Sequence, residues 1–273
     1  MTVINTNVSA LRAQNNSRVA SQAQSQAMER LSSGKRINSA KDDAAGLAIA
    51  TRMEATTRGL TQAVRNANDG ISLAQTADSA AGSISDILVR MRELSVQSAN
   101  GTNGTTDRAA LQTEVAALIS QIGDIATRTD FNGNKLLNGS AATGFNIQTG
   151  TATGETVNIT IADMQAAALG VGALDISTSA GASGALATLD TAIQTVATQR
   201  ANLGAQQNRL TSAVDNLTST VTNLSESKSR IEDADFSVES TNLAAAGILA
   251  QASTAMLAQA NQSSQGVMTL LRG

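Results

Sequence analysis

The sequence predicts a mainly α-helical protein: an elongated antiparallel helical bundle or coiled coil, with a small β-hairpin region and terminal helices that pair. Three observations carry this. The 273 residues include no proline, where average usage would give about 14. Alanine, the strongest helix former, supplies 49 of them. Apolar residues recur at threes, fours and sevens over two long runs, the period of one helix face.

Taken in chain order, residues 1–42 show helical spacing at Ile4, Val8 and Leu11, then at Val19, Ala23, Ala27 and Leu31. Six Lys/Arg stand in residues 1–41 against Glu29. Next, Leu60, Val64, Ala67, Ile71, Ala74, Ala77, Ala81, Ile84, Leu88, Met91 and Leu94 predict a helix from about Ala44 to Ala99, capped by Asp43 or Asp42. Asn100-Gly101-Thr102-Asn103-Gly104-Thr105 reads as a turn. Asp107 then opens a shorter helix with Leu111, Val115, Leu118, Ile122 and Ile125 on one face.

The pattern changes to Gly, Asn, Thr and Ser between Asp130 and Gly184, with an insert at about 140–183. Alternation over 145–148 and 157–161 predicts a hairpin. The stretch from Ala166 to Ala182 reads as loop with a short helix and as the least constrained part of the chain. After it, Leu189, Val196, Leu203, Leu210, Leu217, Leu224 and Ile231 recur at seven-residue spacing as a heptad seam. Their companion line is placed at Leu186, Ile193, Arg200, Gln207, Val214, Val221 and Lys228, a mixed set.

At about 1.5 Å per residue the two long helices would reach roughly 70 to 85 Å, against a radius of gyration near 18 to 19 Å for a compact globule of this size. A rod is expected, formed by residues 43–232. Residues 233–273 are helical by the spacing of Leu249, Ser253, Met256, Ala260, Ser264, Val267 and Leu271; the acids Glu232, Asp233, Asp235 and Glu239 stand at the start of this segment and complement the basic N-terminal stretch. Two such Ala- and Gln-rich helices bury little alone, so the ends are expected to order on assembly.

Composition also excludes. The chain has no His, Cys, Trp or Tyr and three Phe. Imidazole bases, thiolate nucleophiles and the usual zinc ligands are therefore missing. A net charge of −3 argues against a dedicated nucleic-acid binder. The opening lacks the basic leader and apolar stretch of a cleavable secretory signal. The uncharged run from Ser240 to Leu271 is interrupted by Gln251, Gln259, Asn261, Gln262 and Gln265, so a helix packed against other helices is expected in place of membrane insertion.

Ile4-Asn5-Thr6-Asn7-Val8-Ser9-Ala10-Leu11, Arg30-Leu31-Ser32-Ser33-Gly34-Lys35-Arg36-Ile37-Asn38 and Asp42-Asp43-Ala44-Ala45-Gly46-Leu47-Ala48-Ile49 stand near the start. Ser229-Arg230-Ile231-Glu232-Asp233-Ala234-Asp235-Phe236, Met256-Leu257-Ala258-Gln259-Ala260-Asn261-Gln262 and Leu270-Leu271-Arg272 stand near the end. In these motifs the sequence resembles bacterial flagellins over about residues 1–140 and 184–273, with Gly273 departing from the usual Arg at the end of the tail.

The resemblance implies a secreted subunit, exported without a cleavable Sec signal, that forms a helical homopolymer: the extracellular filament of swimming bacteria. Residues 1–42 and 233–273 would form the inner filament-core domain and 43–232 the outer rod. The assembly residues would be Ile4, Val8, Leu11, Leu31, Leu249, Met256, Val267, Leu270 and Leu271. Export apparatus, flagellin chaperone, filament cap and hook-junction proteins are the implied partners. The segment 88–97 resembles the stretch read by the flagellin-sensing Toll-like receptor, which would engage Leu88, Arg90, Glu93, Leu94 and Glu114. Val89 stands where the family usually has Gln.

Other signals are weaker. Ser33-Gly34-Lys35 lacks the first Gly and the Ser/Thr of a phosphate-binding loop. Glu232, Asp233 and Asp235 lack the spacing of a calcium loop and read as a charged hinge. No catalytic, cofactor or metal residue is assigned. The rival readings are a coiled-coil signalling rod and a surface-adhesive rod.

Overall fold

A computed structural model describes the backbone of residues 6–272 and the side chains of residues 6–266. Among the described residues five helices are joined by turns and two short hairpins: α1 (Val8–Ser33), α2 (Ala44–Ala99), α3 (Thr105–Arg128), β1 (Asp130–Phe131), β2 (Asn134–Lys135), β3 (Phe145–Gln148), β4 (Thr156–Ile159), α4 (Ser179–Glu232) and α5 (Phe236–Arg272).

Each helix begins where a polar side chain takes an otherwise unpaired N–H. The Asn7 side chain accepts from the Ala10 amide at 3.0 Å, and Gly34, in the left-handed conformation, closes α1 by donating to the Arg30 carbonyl. Asp43 is the cap of α2, accepting from the Gly46 amide at 2.8 Å. Asp42 instead ties the preceding loop, taking the amides of Asn38 and Ser39, which hold its carboxyl below the usual carboxylate range. Asp107 accepts from the Gly104 amide ahead of α3. Thr178 and Asp235 play the same part for α4 and α5. The many Ser and Thr of helix α4 satisfy their hydroxyls on carbonyls four residues earlier, as at Thr191, Thr195 and Thr218.

The chain divides into two compact units, one of residues 1–55 and 223–273, the other of residues 56–222. In the middle unit, α2 contributes Ala67, Ala74, Ala77, Ala81, Ile84, Leu88, Met91 and Leu94 to a core shared with Val115 and Ile122 of α3 and Leu189, Val196, Leu203 and Leu210 of α4. The small α2 residues let helices approach closely, while Leu, Ile and Met fill the volume between them. Arg108 is buried and donates to the carbonyls of Ser98, Asn100 and Asn103, closing the turn between α2 and α3.

The hairpin β3–β4 pairs Phe145 with Ile159 and Gln148 with Thr156, so its second strand starts one residue earlier than the alternation suggests and stops at Ile159. A second hairpin, β1–β2, turns on Asn132 and Gly133, both with positive φ. That dipeptide is the signature of a tight two-residue turn.

Two sequence expectations fail in this unit. No short helix forms between Ala166 and Ala182 before α4 begins at Ser179; residues 163–178 make turns. Nor is this stretch loosely held: Met164, Leu169, Val171 and Ile176 are all buried in the core. Low complexity there reflects tight turns around a few apolar anchors. Two neighbouring lines share the second edge of the α4 seam: of the expected companions Leu186, Ile193, Gln207, Val214, Val221 and Lys228 are half-buried, with Ile193 and Val214 packed on the core, and a line one residue earlier runs beside them. Ala185 and Ala192 are buried, Gln199 and Gln206 half-buried, whereas Arg200 is exposed and paired with Asp78 at 2.8 Å. Among the heptad residues, Leu189 through Leu217 are buried, and Leu224 and Ile231 are half-buried.

Candidate assembly surface

The unit built from the chain ends rests on the antiparallel pair of α1 and α5, and small residues form its seam. Ala13, Ala20 and Ala27 are buried at seven-residue spacing on α1; Glu239, Ala246 and Ala260 are buried in the same register on α5, with Ser253 half-buried between them. Ala20 and Ala246 are each 4% exposed. Alanines bring the two backbones close but remove little apolar area from water. Asn7 adds a tie, donating its side-chain amide to the Ala260 carbonyl at 3.0 Å.

The large apolar residues point the other way. Val8, Leu11, Val19, Met28, Phe236, Val238, Ile248, Leu249 and Met256 are exposed, with Ile248 at 68% and Met256 at 62%. The helical spacing that groups Val8, Leu11, Leu249 and Met256 with Ala27 and Ala260 thus divides: the two alanines lie on the seam, and the four larger residues, all among the expected assembly residues, lie outside it. A helix with apolar residues on most sides offers several candidate stripes, and periodicity alone favours the bulkier one. Close packing selects the stripe of alanines. Leu31 is half-buried. Ile4 and the side chains of Val267, Leu270 and Leu271 lie outside the described residues.

Two contiguous grooves of about 550 Å³ each run along the α1–α5 pair. Asn16, Leu249 and Ser253 line both; Val19 and Ala23 continue the surface in one direction, and Ala13, Ala252 and Met256 in the other. The segment Phe236–Gly266 is long and apolar enough by composition to cross a membrane. Gln251, Gln259, Asn261 and Gln262 are exposed along it, and each such amide is costly to place in hydrocarbon.

A charged clamp holds the segments beside this pair. Lys35 Nζ lies 2.5 Å from Glu232 Oε1, and Lys228 Nζ lies 2.9 Å from Glu54 Oε2 and 3.5 Å from Glu232 Oε2. The Arg36 amide donates to the Glu232 carbonyl at 2.7 Å and the Ala234 amide to the Gly34 carbonyl at 2.9 Å. Lys35 holds the buried Glu232 carboxyl below the ordinary glutamate range, and Glu54 raises the Lys228 ammonium above the usual lysine value. Together with Arg30 and Glu239, 2.9 Å apart, these contacts realise the charge complementarity of the two chain ends. Among the described residues no His, Cys, Asp and Glu group is placed to hold a metal ion.

The candidate receptor residues separate. Leu88 and Leu94 are in the core of the middle unit and present no surface, because both belong to the seam by which α2 packs. Arg90, Glu93 and Glu114 are exposed and joined: Arg90 donates to Glu114 Oε1 at 2.9 and 3.0 Å and to Glu93 Oε2 at 3.0 Å. Val89 is exposed beside them.

These features define a class: a mainly helical protein with one unit built from both chain ends, alanines on its helix seam and a row of large apolar side chains exposed outside it, and a second built from the middle of the chain. Residues 4–142 match the family model for the bacterial flagellin N-terminal helical region, and residues 186–271 that for the bacterial flagellin C-terminal helical region. The chain belongs to the bacterial flagellin family. It is 55% identical over 162 residues to flagellin C of Vibrio cholerae serotype O1, an alignment covering 59% of this chain and 43% of that protein. Polar flagellin F of Vibrio parahaemolyticus is 52% identical over 169 residues, covering 62% and 45%. The alignments thus span less than half the length of these curated relatives. The crystal structure of Bacillus cereus flagellin superposes with a TM-score of 0.52 at 40% identity, covering 60% of this chain and 94% of that one.

Proposed function

We propose that this chain is a structural subunit that polymerises with copies of itself into the extracellular bacterial flagellar filament used for swimming, residues 1–42 and 233–273 supplying the inner domain and 43–232 the outer one. The observation that carries the reading is the inverted pair of terminal helices, alanines on the seam and Leu, Ile, Val and Met outside. Burying one such large side chain under a neighbouring subunit gains about 1.5–3 kcal/mol, so a row of them rewards association far more than it rewards the isolated pair. Unlike faces meeting head to tail give a helical polymer when the rotation does not close. A coiled-coil signalling rod would instead place its large apolar residues on its own seam.

Export apparatus, chaperone, cap and hook-junction proteins are the partners this function requires, and secretion without a cleavable Sec signal its route. The exposed Arg90, Glu93 and Glu114 face is the part of the chain open to the flagellin-sensing Toll-like receptor. Soluble chain activating receptor-bearing cells, and losing that activity on Arg90→Ala, is the expected result.

Electron microscopy of purified chain brought to assembly conditions tests the main reading. Long filaments are expected, and their loss in Ile248→Asp/Leu249→Asp. Soluble monomer under every condition overturns it.

A further inference from the structure

With no Cys, Trp, Tyr or His in the sequence, the thioether sulfurs of its seven methionines are its readily oxidised atoms. The fold sorts them sharply. Met91 and Met164 are sealed in the core of the middle unit and Met53 is half-buried, whereas Met28 and Met256 are exposed. Of the two exposed among the described residues, Met256 lines the apolar groove, among Leu249, Ala252 and Ala260 of α5 and Ala13 of α1; Met28 lines neither groove.

We propose that Met256 is a redox-sensitive modification site controlling self-association: its thioether is open to hydroperoxides in the free subunit, sheltered in the polymer, and its sulfoxide bars the subunit from docking. The inference rests on the self-assembly proposed above. With hydrogen peroxide, the sulfur lone pair attacks one oxygen, an S–O bond forms as the O–O bond breaks, and the transferred oxygen's proton passes to the departing hydroxide, which leaves as water. Sulfur loses two electrons and the peroxide gains them. The product is a polar, chiral side chain in place of a flexible apolar one. At Met256 that polarity sits where a second copy must strip water from the groove, so the change acts on docking and leaves the alanine seam alone. Damaged subunits are thereby excluded, subunits already docked are protected, and a methionine sulfoxide reductase restores the free chain.

Hydrogen peroxide applied to the full chain, as free subunit and as polymer, tests this by peptide mass spectrometry and filament counts. In the free subunit Met256 and Met28 should each take one oxygen while Met91 and Met164 stay reduced; in the polymer Met256 should stay reduced. Treated subunits should lose filament formation and regain it after reductase. Met256→Leu should polymerise before and after treatment, and Met28→Leu should remain sensitive. Treated wild type that assembles normally, equal oxidation of Met256 in subunit and polymer, or a Met256→Leu chain as peroxide-sensitive as wild type each overturns the proposal. Untreated chain that never polymerises overturns the self-assembly reading instead, and this one with it.

Discussion

The Glu239 carboxylate of α5 lies 2.9 Å from the Arg30 guanidinium of α1, in the heptad register that Ala246, Ser253 and Ala260 continue. A seam of alanines is nearly the same at every step along the helix, so it says little about which residue faces which. One largely buried ion pair at its end does, because slippage would leave the glutamate, 8% exposed, without its cation. Glu239→Ala should therefore destabilise the α1–α5 pair by on the order of 1–2 kcal/mol, discounted because Arg30 keeps contact with water. Amide exchange in α1 and α5 reads this directly. Both helices should exchange faster than the buried stretch of α2 in the wild type, and faster still in the variant.

Small inside and large outside makes opposite predictions for substitutions a few residues apart. Ala20→Leu forces a bulky side chain into the seam and should cost the pair about 1–3 kcal/mol by overpacking. Leu249→Ala removes an exposed side chain and should change subunit stability by less than about 0.5 kcal/mol, yet sharply reduce polymer formation. Chemical denaturation of the subunit together with sedimentation of the polymer separates the two effects. A Leu249→Ala chain that polymerises like wild type argues against this face as the assembly surface.

Much of this arrangement is legible in the sequence where one stripe dominates a helix. Helix α2 runs from Ala44 to Ala99, as its apolar spacing and the acid before it indicate, and the α4 heptad from Leu189 to Leu217 is buried. Legibility ends where several stripes compete. On α1 and α5 the choice between Leu249 and Ala246 depends on how closely two backbones can approach, a property of the pair and not of either helix. The buried line of α4 at Ala185 and Ala192 was hidden for the same reason: beside the larger Leu186 and Ile193, alanines carry little pattern weight.

The clamp around Glu232 predicts a definite pH dependence. Its carboxyl is held below the ordinary glutamate range by Lys35, so the stability it confers is present above the unfolded-state value and is lost as pH falls through the depressed folded one. Lys228 acts on the opposite limb. Raised by Glu54, it contributes fully below the unfolded lysine value and loses that contribution as pH climbs through the raised one. Stability of the terminal unit should thus be flat around neutrality. Glu232→Gln should lower it there by on the order of 1–2 kcal/mol, and the wild-type and variant curves should converge in acid. A constant difference across the acid limb would remove the carboxylate from the account.

Ile176 is fully buried although it lies in a stretch of glycines, serines and alanines. Its amide donates to Gln112 Oε1 at 2.7 Å and its carbonyl accepts from Ser98 Oγ at 2.5 Å, so side chains from α3 and α2 satisfy both of its backbone groups. Those partners are 64 and 78 residues away in sequence, which is why local composition could not reveal the anchor. Gln112 also donates to the Leu174 carbonyl at 3.1 Å and fastens the turn at a second point. Ile176→Ala should cost the middle unit about 2–5 kcal/mol through the cavity it leaves. Gln112→Ala should cost about 1–3 kcal/mol by unpairing a buried amide and a carbonyl. Thermal unfolding of the two variants measures both losses. A loop held only by its own turns would tolerate either substitution with a change below about 0.5 kcal/mol, and that outcome would return residues 163–178 to the status of a loose insert.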